Sequence, residues 1–153
     1  MATTFADRHA VDIKRDWGGI ASLSWLAPVG RFFYSLIFIL SGFRHFSSET
    51  ISYAASSGVI LPEILVPASG LMAIAGGVLI LMGYHARLGA LLLVLFLLPV
   101  TIVMHDFWTI TDPQTAQMQM VNFMKNTSLL GGALLIFVLG SGPYSFDQGR
   151  NRL

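Results

Sequence analysis

Ionisable and aromatic side chains stand in three groups near the ends of apolar stretches in this sequence. Ser41, Arg44 and His45 close one apolar stretch. Residues 105–108 directly follow another stretch, and Asn122, Lys125 and Asn126 recur at steps of three and four residues. Steps of three and four place side chains on one face of a helix, so we expect such residues to lie side by side. The candidate site residues are Ser41, Arg44, His45, His105, Asp106, Phe107, Trp108, Asn122, Lys125 and Asn126.

Five of these residues have the chemistry of a catalytic site. Arg44 and Lys125 could hold an anion or a carbonyl oxygen, while His45 and His105 could exchange protons near neutral pH. Asp106 could orient one of the two imidazoles. The alternative interpretation is that charged side chains at helix ends only extend to lipid headgroups, and that Asp106 caps a loop.

The other five candidates could bind a cofactor. Phe107 and Trp108 could stack on a planar ring, with Ser41, Asn122 and Asn126 as polar contacts. A quinone, which has carbonyl oxygens and an apolar tail, is the predicted cofactor. Two histidines on separate helices could instead bind haem or a metal, although no ligand motif of fixed spacing supports that alternative. Trp108 could also be a simple anchor at the membrane surface.

Four apolar stretches position these groups, and crossing a bilayer takes roughly 20 helical residues. Backbone groups in lipid must be satisfied internally, so stretches of this length predict helices. Charged residues make up 11% of the 153-residue chain, against about 25% in soluble domains. The sequence therefore predicts an all-α, polytopic membrane protein, an antiparallel bundle of four transmembrane helices. The helices are expected over Leu26–Phe46, Ile64–Met82, Leu88–Met104 and Phe123–Leu139.

The basic residues predict an orientation for one membrane domain, residues 26–147, flanked by tails at residues 1–25 and 148–153. Seven basic residues fall on one side and two on the other, and loops rich in Lys and Arg stay in the cytoplasm. Both termini are therefore predicted to be cytoplasmic, and the candidates to lie at the outer ends of helices one, three and four, where Glu63 at the outer start of helix two could join them. The seven are Arg8, Lys14, Arg15, Arg31, Arg87, Arg150 and Arg152, and the two are Arg44 and Lys125.

Composition excludes several classes of function. The net charge is +1 and the basic residues are scattered, so no nucleic-acid partner is predicted. The chain has no cysteine, which excludes disulfides, thiolate metal sites and Cys-x-x-Cys redox motifs. The lipid bilayer is the predicted environment of most of the chain.

Motifs in a fixed order along the chain carry a resemblance that extends from about Val29 to Asp147. The most specific are His105-Asp106-Phe107-Trp108 and Asn122-Phe123-Met124-Lys125-Asn126. The remaining motifs are Gly30-Arg31, Ile37-Phe38-Ile39-Leu40-Ser41-Gly42 with His45, Gly76-Gly77-Val78-Leu79-Ile80-Leu81-Met82-Gly83, Ala86-Arg87-Leu88-Gly89-Ala90, Leu130-Gly131-Gly132-Ala133-Leu134 and Gly140-Ser141-Gly142-Pro143-Tyr144-Ser145-Phe146-Asp147. Together they resemble the DoxX family of small four-helix membrane proteins.

The resemblance implies a protein of the bacterial plasma (inner) membrane. It also implies a membrane component of a quinone-linked oxidoreductase, of the thiosulfate:quinone or oxidative-stress type, with a soluble redox enzyme as partner. Whether the chain is itself an enzyme stays open, because more distant relatives act as cargo receptors or assembly chaperones. Many members carry an acidic residue before the paired glycines of helix two, where this chain has Ala73 and Ile74.

Three classes of function are therefore carried forward. The leading one is the quinone-linked oxidoreductase component. The alternative is a non-enzymatic membrane subunit or assembly factor that recruits soluble partners. A small-molecule or proton carrier is the third, and it would need a homo-oligomer because four helices leave little room for a transport path.

Overall fold

The computed structural model describes residues 23–150, and these residues form helices and turns without a β-strand. The predicted tail up to residue 25, with Trp17, lies outside the described residues except for its last three positions. The tail after residue 147 is described only to residue 150. The α-helices are α1 Leu26–Arg44, α2 Ser48–Ser56, α3 Pro62–Met82, α4 Ala86–Met104, α5 Pro113–Leu139 and α6 Phe146–Arg150, with a 3-10 turn at Phe107–Thr109.

Four of these helices, α1, α3, α4 and α5, are long and apolar enough to cross a membrane. The predicted all-α bundle of four transmembrane helices is therefore confirmed. The largest difference from the predicted boundaries is in α5, which begins at Pro113 rather than at Phe123. Asp112 explains the earlier start, because its carboxylate accepts a hydrogen bond from the Thr115 N–H at 2.8 Å and caps the helix.

Close helix contacts are made where glycine leaves room for a neighbouring backbone. A Cβ added at Gly70 of α3 would lie 2.8 Å from the Gly42 carbonyl oxygen of α1. A Cβ at Gly76 of α3 would likewise lie 2.9 Å from the Gly89 carbonyl oxygen of α4. Small residues allow such approaches in lipid, where packing rather than water exclusion drives helix association. These contacts place α3 between α1 and α4.

Helix α5 packs on α4, and Tyr34 connects it back to α1. The Tyr34 hydroxyl donates to the Leu129 carbonyl oxygen at 2.7 Å. Its ring packs so closely on Gly132 of α5 that a Cβ added there would clash with it. Phe38, Ile80, Leu93 and other apolar side chains fill the space between the helices. Many other large apolar side chains are exposed, as expected where lipid surrounds the helices.

The bundle has two ends, which we name for the residues that organise them. At the His105 end, α1 finishes at Arg44 and α4 at Met104, and α2 packs against α3. At the Asp147 end, α3 turns into α4 through residues 83–85, so the two helices are antiparallel neighbours as predicted. The segment after α5 folds back against this turn.

Candidate functional site

A chain of three polar side chains spans the His105 end. Gln119 Oε1 accepts from His105 Nδ1 at 2.7 Å, and Gln119 Nε2 donates to the Tyr53 hydroxyl at 3.0 Å. With Nδ1 as the donor, His105 Nε2 keeps its lone pair, and it has no partner among the described residues. The chain ties α2, α5 and the residue after α4 together, and it leaves one imidazole nitrogen for a ligand.

Three aromatic rings pack beside this chain. The Trp108 ring centroid lies 5.1 Å from that of Phe107 and 5.9 Å from that of Phe123, and the three rings meet edge to face. The 3-10 turn Phe107–Thr109 directs its rings toward α5 because α4 has ended at Met104. Trp108 remains 57% exposed, so the cluster keeps an exposed aromatic ring three residues after His105.

The predicted charged residues of this end are not joined to one another. Asp106 accepts from the Thr109 hydroxyl at 2.7 Å, which is a local capping contact. Lys125 is exposed and donates to Asn122 Oδ1 at 3.1 Å. Arg44 is exposed at the last position of α1, and among residues 23–150 its side chain has no hydrogen-bond partner. The expected link of Arg44, Asp106 and Lys125 to His105 is therefore not made through direct contacts.

His45 lies apart from this chain, between α1, α3 and α4. Its Nδ1 donates to Ser69 Oγ at 2.8 Å, while the Ser69 hydroxyl donates to the Val66 carbonyl oxygen at 2.7 Å. The His45 ring packs against Phe96 with centroids 5.6 Å apart. The structure thus gives His45 and His105 separate partners, and His45 has a role in helix packing.

The other candidates differ in exposure. Ser41 is half-buried, and its hydroxyl makes a long contact of 3.4 Å with the Phe38 carbonyl oxygen. Asn126 is buried, with 7% of its side chain exposed. Glu63 is exposed in the first turn of α3. Among the described residues, no group of three His, Asp or Glu side chains could hold a metal ion.

A second polar centre, which the sequence did not predict, lies at the Asp147 end. Arg31 is buried in α1, and its two terminal nitrogens donate to the carbonyl oxygens of Ser141, Pro143 and Tyr144. Since a buried guanidinium needs acceptors, the segment after α5 supplies them with its backbone. Arg31 therefore fastens the end of the chain to the first membrane span.

Asp147 completes this centre. Its carboxylate accepts from the His85 N–H at 2.8 Å and from the Ala86 N–H at 3.1 Å, so it caps the start of α4. Burial by itself raises the pKa of the Asp147 carboxyl, but these N–H donors and the charge of His85 outweigh it, and the pKa lies below its ordinary value. Gly83 has φ 63° and abuts Ser145, so any side chain there would displace the segment.

Sequence reasoning missed Gln119, Tyr53 and Ser69 at the His105 end, and the capping role of Asp147. Gln119 and Tyr53 fell in segments expected to be loops, whereas both stand on helices. The available signal was Asp112-Pro113, since a capping residue followed by proline commonly begins a helix.

Comparison with known proteins identifies relatives over nearly the whole described region. The chain matches the family model described as "SURF4 family" over residues 24–153. It is similar to the inner membrane protein YphA of Escherichia coli, 30% identical over 125 residues, which are 80% of this chain and 89% of that protein. It is also similar to the inner membrane protein YqjF of the same species, 29% identical over 81% of this chain and 91% of that protein.

A more distant similarity reaches an animal protein. The Surfeit locus protein 4 homolog of Drosophila melanogaster is 32% identical over 76 residues, which cover 49% of this chain and 28% of that protein. No solved structure matches this chain.

The resemblance to the DoxX family was wrong, because the family model that matches residues 24–153 is a different one. The physical reason lies in what its motifs do. Gly76 and Gly132 serve helix packing, and the segment from Gly140 to Asp147 docks against the turn before α4. Such features specify a tight four-helix bundle rather than one family.

Proposed function

Since this chain belongs to the SURF4 family, we propose that it is a multi-pass protein of a bacterial inner membrane and the membrane component of a quinone-linked oxidoreductase. The location follows the names of two relatives from Escherichia coli, both of which are called inner membrane proteins. In this proposal the quinone head group binds at the His105 end. Electrons reach it from a soluble donor protein that docks on the same side.

One observation carries the proposal: the hydrogen-bonded chain from Tyr53 through Gln119 to His105 ends at the segment that carries the aromatic cluster and its exposed Trp108 ring. Ligand sites combine an apolar wall with a few placed polar groups. Trp108 and Phe107 supply the wall, and His105 Nε2 supplies a polar group that can accept or donate according to its protonation. A quinone carbonyl oxygen and a planar ring match these two features.

The side chains of this end could position a quinone ring, handle its protons and favour negative charge on its carbonyl oxygen. The bound quinone would supply the two-electron chemistry. His105 can hold a proton at Nε2, and Gln119 keeps the imidazole oriented through Nδ1. The exposed ammonium of Lys125, held at 3.1 Å from Asn122 Oδ1, lies two residues after Phe123 of the aromatic cluster and would favour a carbonyl oxygen that gains negative charge.

Tryptophan fluorescence tests this site directly. A short-chain quinone should quench the emission of the purified protein, and Trp108→Leu should remove most of that response. Trp25→Leu is the matched control, because Trp25 is 53% exposed against 57% for Trp108 but precedes α1 at the opposite end. If Trp108→Leu leaves both the quenching and any quinone reduction unchanged, the quinone site is misplaced.

Gln119→Leu separates orientation of His105 from simple ring stacking. Without the amide, His105 Nδ1 loses its acceptor, and one neutral hydrogen bond contributes about 1 kcal/mol. We expect quinone affinity to fall about fivefold while the aromatic cluster still quenches at saturation. Gln117→Leu, an exposed position on the same helix, should leave the affinity unchanged.

A second candidate function, a membrane subunit that recruits a soluble partner, is favoured by the length of α5. Its 27 residues extend roughly 40 Å, beyond the hydrocarbon thickness of about 30 Å. Its first turns carry the exposed apolar side chains Met118 and Val121. A photo-crosslinker at Met118 should capture the partner in cells, whereas one at Leu95 in mid-span should capture none. If Trp108→Leu leaves quinone quenching unchanged while the crosslinker at Met118 captures a partner, this function is favoured over the first.

A further inference from the structure

Helices α1 and α5 border an open space at the Asp147 end, the opposite end of the bundle from the proposed quinone site. Tyr34 closes the gap between the two helices in mid-span. Below it lies a crevice of about 420 Å³ with mainly apolar walls, among them Leu26, Leu135 and Leu139. A Cβ at Gly30, which also lines the crevice, would meet nothing within 4 Å. The crevice is therefore open and lies within the spans, where acyl chains are the surrounding solvent.

A polar pocket of about 550 Å³ adjoins the crevice. Both are lined by the segment 139–142, and the polar pocket also has Arg87 and Gln148 in its wall. Arg87 is exposed, and among residues 23–150 its side chain makes a single long hydrogen bond, 3.3 Å from Nη2 to the Val138 carbonyl oxygen. Most of its five N–H donors are thus available. The one carboxylate in this pocket, Asp147, is already engaged by the His85 and Ala86 N–H groups.

Buried Arg31 supplies a second, independent observation. Only 7% of it is exposed, it lines the crevice, and its Nε is buried without a hydrogen-bond partner among the described residues. A buried donor without an acceptor costs free energy. The Nε atom itself is inaccessible, so what Arg31 offers an occupant of the crevice is its positive charge.

We propose that the crevice and the adjoining pocket form a binding site for one anionic phospholipid. One acyl chain lies between α1 and α5, the phosphate contacts Arg87, and the glycerol ester oxygens approach Arg31. Basic pockets between membrane helices bind anionic headgroups, and the apolar crevice selects a lipid over a free phosphate. The polar rim and the buried donor distinguish this occupant from a second copy of the chain, which would need a continuous apolar face.

Native mass spectrometry of the full chain in detergent micelles tests the proposal. The probes are dioleoyl phosphatidylglycerol, dioleoyl phosphatidylcholine and glycerol 1-phosphate, each at the same concentration. We expect one phosphatidylglycerol per chain, bound about fivefold more tightly than phosphatidylcholine, the factor for one basic side chain at an anionic lipid. Glycerol 1-phosphate should not displace it. Equal binding of both lipids, or displacement by glycerol 1-phosphate, would overturn the proposal.

Two matched pairs of variants locate the site. Gly30→Leu should cause loss of most of the bound phosphatidylglycerol, because the new side chain would occupy the space proposed for the acyl chain. Gly131→Leu should not, since Gly131 is equally open but lies outside the crevice. Arg87→Gln should abolish the preference for the anionic lipid and Arg87→Lys should restore part of it, whereas Arg44→Gln at the other end should have no effect. Unchanged lipid binding in Gly30→Leu and Arg87→Gln proteins that melt like the wild type would refute the assignment.

Discussion

At the Asp147 end, the side chains of Asp147 and Arg31 join segments that are far apart in the sequence. Asp147 is 62 residues from His85 in sequence, yet its carboxylate caps α4 through two backbone N–H groups. Arg31 holds the same segment through three carbonyl oxygens. A cap supplied from so far along the chain makes the start of α4 depend on the end of the chain.

Replacing Asp147 by Ala should therefore destabilise the protein. Loss of a capping side chain costs about 1 kcal/mol, which should lower the melting temperature in detergent at neutral pH. Glu63→Ala, an exposed first-turn acid of α3, is the control and should have a smaller effect. Equal melting of the Asp147→Ala variant and the wild type would show that the cap contributes nothing.

The same carboxylate predicts a pH dependence. Its pKa in the folded protein is lowered, whereas an unfolded Asp has a pKa of about 3.9. The stabilisation is therefore fully present above about pH 4 and is lost as pH falls through the lower folded pKa. Melting temperatures from pH 6 down to pH 3 should fall more steeply for the wild type than for Asp147→Asn. Parallel curves for the two proteins would contradict this assignment.

At the scale of elements, the helix contacts rest on a few positions without a side chain. Gly70 and Gly42 let α1 and α3 approach backbone to backbone, and Gly76 and Gly89 do the same for α3 and α4. His45 lies at the first of these contacts and bonds to Ser69. Its partner and its burial therefore depend on how closely α1 approaches α3.

Gly70→Ala should separate α1 from α3. The new Cβ would lie 2.6 Å from the His45 Cβ and 2.8 Å from the Gly42 carbonyl oxygen, and overpacking of this kind typically costs about 1–3 kcal/mol. Gly131→Ala is the matched control, because its Cβ would meet nothing within 4 Å and alanine favours a helix. Melting in detergent should fall for the first variant and stay constant or rise for the second. A stable Gly70→Ala protein would mean that the two helices can move apart freely.

At the scale of the whole molecule, the two ends have different characters. The His105 end has an aromatic surface and an imidazole nitrogen that has no partner within residues 23–150, whereas the Asp147 end is fastened by its own backbone and carries the exposed Arg87. The positive-inside rule predicts that the second end is cytoplasmic. In this predicted orientation the proposed quinone site would be outside and the proposed lipid site in the inner leaflet.

Single cysteines can test the orientation, because the native chain has none. Ser48, Gln114 and Phe146 are exposed positions, the first two at the His105 end and the third at the Asp147 end. In intact cells an impermeant thiol reagent should label cysteines at 48 and 114, and should label position 146 only after permeabilisation. Labelling of position 146 alone in intact cells would reverse the topology.

The sequence alone determined the four spans and the all-α architecture. Lipid offers the backbone no hydrogen-bond partners, so a long apolar stretch has essentially one available structure. It also identified the polar helix ends. These properties are local, since each depends on one segment and its surroundings.

Only the tertiary structure decided which polar groups meet. The predicted cluster placed His45 and His105 together, but the close packing of α1 on α3 turns His45 to Ser69, while α5 brings Gln119 to His105. Asp147 reaches the start of α4 because Arg31 binds the intervening carbonyl groups. Hydropathy and helical spacing describe one helix at a time, whereas these contacts join groups 14 to 113 residues apart. Their partners are therefore set by how the helices pack, which no single segment encodes.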